Sequence, residues 1–182
     1  MIGEESALAV IDALQELQIP FMLVGSFAYN LYGAPRLSGD AGFVIALGDR
    51  PLDAITRLLG PTFRLDPQMC FETFTGTRSY ELERADDLFR IELFLLSDDP
   101  HDLERFQRRR TIDVRGRRVD FLTPEDVIIT KLRWGRPKDR EDSSAVIAVQ
   151  SEALDWPYIT SWCDLHGTRG LLDEIRRSTP PL

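Results

Sequence analysis

The chain has 182 residues, 22 basic and 30 acidic side chains, a net charge of −8 and 43% hydrophobic residues. At roughly 150 residues per domain this allows one globular domain with an appendage or two very small ones, and it excludes a disordered or collagen-like chain. The excess of acid argues against a protein that coats nucleic acid non-specifically, because phosphate attraction needs positive potential.

Ala7, Val10, Ile11, Leu14 and Leu17 repeat at helical spacing, which predicts an opening amphipathic helix that Pro20 ends. The apolar run Phe21 to Val24 predicts a short buried strand leading into the turn Gly25-Ser26, after which Phe27, Ala28, Leu31 and Tyr32 keep helical spacing as far as Gly33. Ala34-Pro35-Arg36 breaks the chain, Ala41 to Leu47 reads as a strand buried on both faces, and Pro51 to Leu59 reads as a helix. Phe63 to Leu65, Ser79 to Glu83 and Phe89 to Leu96 read as strands. In the last of these the alternation puts Ile91, Leu93 and Leu95 on one face and Glu92, Phe94 and Leu96 on the other, so a carboxylate sits on an otherwise apolar strand.

His101 to Gln107 reads as a helix, and Thr111 to Val114 with Arg117 to Phe121 as a hairpin around Gly116. Thr123-Pro124-Glu125-Asp126 is a helix start: a hydroxyl at N-cap, proline at N1 and acids in the first turn. From there the chain reads as helical in about four pieces, divided at Gly135-Arg136-Pro137, Asp155-Trp156-Pro157 and His166-Gly167. The expected fold is α+β, a mixed sheet with helices over residues 1–122, followed by a helical segment over 123–182 packed on that core.

Cys70 and Cys163 stand far apart with no Cys/His cluster, so neither a disulfide framework nor a structural zinc site is expected, and both read as buried thiols. The first residues are acidic and no apolar run approaches the roughly 18 residues that span a bilayer, so the expectation is a cytoplasmic protein with no membrane partner.

The turn Gly25-Ser26 suits a phosphate, since glycine admits close backbone approach and a helix start offers N–H groups beside the serine hydroxyl. The stretch from Gly33 through Arg36, Ser38 and Asp40 to Gly42 adds a pattern. Here the sequence resembles the nucleotidyltransferase superfamily of polymerase-beta-like fold, in particular the bacterial branch of minimal nucleotidyltransferases and abortive-infection (AbiEii-type) toxins. That branch carries a Gly-Ser or Gly-Gly turn, a short helix and then Gly-x-x-Arg-x-Thr-x-Asp-x-Asp. Gly33, Arg36, Ser38 in place of threonine, and Asp40 match it, and Gly42 stands where the second aspartate belongs.

A second stretch, Glu125 to Asp142, is similar to the same branch, which reads Glu-Asp, apolar residues, Lys-Leu, then Arg-x-Lys/Arg-Asp-x-x-Asp. The resemblance spans about residues 20–165. It implies that Asp40 and Glu92 hold Mg²⁺ and act in catalysis, and that Gly25, Ser26, Arg36, Ser38, Lys131, Arg136 and Lys138 contact a nucleoside triphosphate. It makes Lys131 a catalytic cation too, with Asp139 and Asp142 ordering these cations. Two carboxylates at i and i+2 of a strand share a face and suit a metal pair, so Gly42 puts two-metal transfer in question, and Gly42→Asp is expected to strengthen metal binding.

Arg105, Arg108, Arg109, Arg110, Arg115, Arg117 and Arg118 form a basic stripe with Asp113 the single acid among residues 105–118. It reads either as a contact for an RNA end or as an arginine-rich edge paired with Asp98, Asp99, Asp102 and Glu104, and the lack of an interleaved aromatic platform favours the second. Three functions stay open: a degenerate binder of nucleoside triphosphate and Mg²⁺, an active Mg²⁺-dependent nucleotidyltransferase acting on an RNA, protein or small-molecule hydroxyl, and a toxin–antitoxin type protein with a cognate protein partner.

Overall fold

A computed structural model describes residues 2–72, 75–85 and 88–179. The chain falls into two compact units: one takes the residues up to Ser26 together with Leu37–Phe121, the other Phe27–Arg36 and the chain from Leu122 onward.

The first unit is a sheet with helices: α1 (Ile2–Glu16), β1 (Phe21–Val24), β2 (Asp40–Ile45), α3 (Asp53–Leu59), β3 (Phe63–Leu65), β4 (Cys70–Phe71), β5 (Arg78–Arg84), β6 (Arg90–Leu95), α4 (Pro100–Arg108), β7 (Arg110–Val114) and β8 (Arg117–Phe121). Strand order is β3-β5-β6-β2-β1-β8-β7, with β4 paired to β5. The sheet is mixed: β1–β2 and β5–β6 are antiparallel, β2–β6 and β1–β8 parallel. The two most apolar strands lie in its middle, where all four residues of β1 and everything in β2 after Asp40 are buried. β4 escapes a sequence reading because it has two residues, both exposed, and no periodicity to find. With it Cys70 is exposed, against expectation, whereas Cys163 is buried and burial pushes its thiol up.

The β7–β8 hairpin turns through Arg115 and Gly116, both at positive φ (53° and 79°), the pair of conformations a two-residue type I′ loop needs. Four of the seven arginines of the stripe are paired within the unit. Arg105 meets Asp102 at 2.8 Å, as one of the acids foreseen, while Arg109, Arg115 and Arg117 meet Asp120, Glu4 and Asp12 instead.

The second unit is helical. α2 (Gly25–Tyr32) starts in the first unit at the glycine turn and runs into it, and α5 (Pro124–Trp134), α6 (Pro137–Gln150), a 3-10 turn (Ser151–Ala153), α7 (Trp156–Leu165) and α8 (Arg169–Ser178) follow. Thr123 caps α5 by accepting from Asp126 N, with Pro124 at N1, and Gly135 closes the helix in the left-handed conformation. Val127, Ile128, Leu132, Val146, Ile159, Leu172 and Ile175 form its core. Among the described residues no helix is long and apolar enough to cross a membrane.

Candidate functional site

In the first unit β2 and β6 run parallel with Gly42 opposite Glu92 and Asp40 opposite Arg90. Residues opposite in register, and residues two apart on a strand, share a face, so Asp40, Gly42 and Glu92 lie on one side of the sheet. β1 adds Val24 beside Gly42, and β5 adds Glu81 beside Glu92. Glu81, which the sequence reading placed on a strand but not in the site, lies 3.8 Å from Arg90.

Asp40 is exposed and opens β2. Its Oδ1 lies 3.0 Å from Ser26 Oγ and 2.8 Å from Ser38 Oγ, and the two hydroxyls are 2.7 Å from each other. Asp40 Oδ2 accepts no hydrogen bond from the described residues. The two serines thus fix the carboxylate through one oxygen and leave the other for a ligand. Gly25, where β1 passes into α2, has φ +63°, and a Cβ there would meet nothing within 4 Å. Its glycine is required by conformation, and the space above it is open.

Position 42 is tight. A Cβ on Gly42 would come within 3.0 Å of Val24 Cγ2 and 3.3 Å of Phe94 Cε2, so for Gly42→Asp to strengthen metal binding both side chains must give by a few tenths of an ångström. Among the described residues no three His, Cys, Asp or Glu side chains form a group that could hold a metal ion. Asp40 and Glu92 match in number and chemistry a single Mg²⁺ that takes one or two protein carboxylates and completes its shell with water and phosphate. They do not fit a metal pair.

In the second unit two carboxylates hold three cations. Lys131 Nζ, on α5, donates to Asp139 Oδ1 at 3.0 Å and to Asp142 Oδ2 at 2.8 Å, both on α6. Arg136 donates through Nε to Asp139 Oδ2 at 2.6 Å and through Nη2 to Oδ1 at 3.2 Å, while Arg36 Nη2 reaches Asp142 Oδ2 at 3.1 Å. Asp139 is fully buried. Burial pushes its carboxyl up, but the hydrogen bonds from Arg136 and Lys131 outweigh that and hold it below its ordinary 3.8.

Lys131, expected at the triphosphate with Asp139 and Asp142 ordering it, is 7% exposed and donates its ammonium protons to both aspartates. Arg136 is exposed, with its guanidinium 4.9 Å from the centre of the Trp134 ring, and Lys138 is exposed on the first turn of α6.

No family model and no curated protein matches the chain. Solved structures do. The chain is similar to ANT(2'')-Ia in complex with adenylyl-2''-tobramycin, with a TM-score of 0.60 at 15% identity over 93% of this chain and 99% of that one. The solution structure of the same antibiotic-resistance factor matches with a TM-score of 0.58 at 17% identity over 94% and 95%. An antigenic nucleotidyltransferase-like protein from Paracoccidioides brasiliensis gives 0.53 at 19% over 97% and 93%. At these identities the likeness is one of fold, and the α+β architecture of mixed sheet and helical C-terminal part is the one the sequence resemblance implied: the chain has the nucleotidyltransferase-like fold.

Proposed function

We propose that this protein binds a nucleoside triphosphate together with one Mg²⁺ and does not perform two-metal nucleotidyl transfer. The observation that carries the reading is position 42: Asp40 and Glu92 share a face on adjacent strands, while the place between them is a glycine roofed by Val24 and Phe94. Asp40 and Glu92 would hold the ion, whose charge neutralises phosphate oxygens when bound. The first peptide N–H groups of α2 at Gly25 and Ser26 supply donors for phosphate, while the hydroxyls of Ser26 and Ser38 hold the Asp40 carboxylate in place.

Calorimetry with each nucleoside triphosphate tests this. Binding that requires Mg²⁺ and weakens about tenfold in Asp40→Asn and in Glu92→Gln is expected, the loss of one charge-assisted contact each. No heat with any nucleoside triphosphate plus Mg²⁺ overturns it. A second reading, transfer of a nucleotide to a small-molecule hydroxyl, is favoured by the likeness to a protein solved with adenylyl-2''-tobramycin. A nucleoside triphosphate labelled on its α-phosphate separates the two: label appearing on an aminoglycoside, an RNA end or a protein supports transfer, and label remaining in nucleotide supports binding alone.

A further inference from the structure

We infer that the cleft at the C-terminal end of β6 is a second binding site, one that takes a small zwitterion whose carboxylate meets Arg78 and whose ammonium meets Asp98. It stands apart from the nucleotide reading and uses none of its residues.

All the groups concerned lie in the sheet unit. The cleft holds about 360 Å³, at the small end of ligand clefts, and is lined by Thr75, Gly76 and Arg78 at the entry to β5 and by the segment from Leu95 to Asp99. β6 carries the chain away from Glu92, so Ser97 stands five residues beyond that carboxylate, about 16 Å at the rise of a strand. Both walls are pinned to one buried acid. Asp102, 2% exposed, accepts from Thr77 Oγ1 at 3.1 Å and from Ser97 Oγ at 2.5 Å, and it meets Arg105 at 2.8 Å. Asp99 is committed as the N-cap of α4, accepting from His101 N and Asp102 N. The spacing of the walls is therefore set before any ligand arrives.

Two charges on these fixed walls are not committed. Asp98 lies between Ser97 and Asp99, and Arg78 follows Thr77, yet both are exposed and neither forms an ion pair or a side-chain hydrogen bond with any described residue. Nor do they meet each other, so opposite charges line one cleft without cancelling. A lone anion would answer Arg78 and feel the Asp98 carboxylate, and a lone cation the reverse. A molecule that carries both charges on a short carbon chain answers both, and binding at one end brings the other end within reach. Arg78 offers the guanidinium fork that matches two carboxylate oxygens, and Leu95 and Leu96 add apolar lining for the chain between the charges.

The probes are linear amino acids of increasing length, glycine, 3-aminopropanoate, 4-aminobutanoate and 6-aminohexanoate, titrated into the full chain and followed by two-dimensional amide NMR, which reads millimolar affinities. One length should bind best and shift the amides of residues 75–78 and 95–99. Acetate and methylammonium should each bind about tenfold more weakly than that probe, the loss of one charge-assisted contact. Arg78→Ala and Asp98→Asn, whose replacement removes no side-chain contact among the described residues, should each lower the affinity of the best probe by the same factor. Binding of none of the four, acetate held as tightly as the best amino acid, unchanged affinity in either variant, or shifts confined to the face of Asp40 and Glu92 would each overturn the site.

Discussion

In the sheet unit Asp40 and Glu92 stand at exposed strand positions, whereas in the helical unit Asp139 and Asp142 are 0% and 4% exposed and each meets two cations. The difference separates two uses of a carboxylate. An acid buried among cations is part of the fold, because removing its partner leaves an uncompensated charge in a poorly solvated place. Asp40, exposed at the first residue of its strand and engaged by the serines through one carboxylate oxygen, contributes little to folding and keeps its other oxygen for a ligand. The strongest way to break this contrast is Lys131→Met, which takes the shared ammonium from between two buried carboxylates. It should lower the unfolding free energy of the helical unit by about 3–5 kcal/mol, while Asp40→Asn should cost no more than about 1 kcal/mol. Far-UV circular dichroism during urea unfolding follows both units, and tryptophan fluorescence follows the helical one, where Trp134, Trp156 and Trp162 all lie. Equal losses in the two variants would erase the distinction.

Gly42→Asp sharpens the same comparison from the other side, by asking whether the open acid face can accept one more carboxylate. With Val24 Cγ2 at 3.0 Å and Phe94 Cε2 at 3.3 Å from the new Cβ, the single substitution should cost about 1–3 kcal/mol, the usual penalty of overpacking. It should leave Mg²⁺ affinity unchanged, and adding Phe94→Ala and Val24→Ala should then raise it. Tighter Mg²⁺ binding by Gly42→Asp alone would show that the aromatic roof yields readily.

Phe94 also marks where sequence reading stops. The alternation of β6 puts Glu92 and Phe94 on the same face, and that much is legible from spacing two apart. What the ring covers depends on the register of β2 against β6, a pairing between segments about fifty residues apart that no local pattern encodes. The cap at Thr123, the strands at Phe21 and Arg90 and the helical C-terminal part carry local signals and were readable. Asp139 and Asp142, at i and i+3, were readable as a pair on one helical face. Arg36 as the partner of Asp142 was not, since 106 positions separate them.

Acid should distinguish the two sets of carboxylates next. Asp139 is held below its ordinary 3.8 by Arg136 and Lys131, so its ion pairs stabilise the folded chain at pH above that value. That stability is lost as pH falls through 3.8 and below, where the unfolded chain binds a proton that the folded carboxyl resists. Fluorescence-detected melting should therefore fall between pH 5 and pH 3, and in Asp139→Asn, lower from the start, the fall should be shallower. An identical slope in both would mean that other acids govern the response.

The smallest effect belongs to Asp12 and Arg117, which tie α1 to β8 through contacts of 2.6 and 2.8 Å. The hydrogen bond from Arg117 holds the Asp12 carboxyl below its ordinary 3.8, although burial opposes the shift. By distance this pair is as good as any in the helical unit, yet the Asp12 side chain is 51% exposed, so water and salt screen the attraction in both states of the pair. Asp12→Asn should accordingly move the melting temperature by less than about 3 °C, and the effect should shrink further in high salt. A loss as large as that of Lys131→Met would show that contact distance, rather than burial, decides which ion pairs hold this chain together.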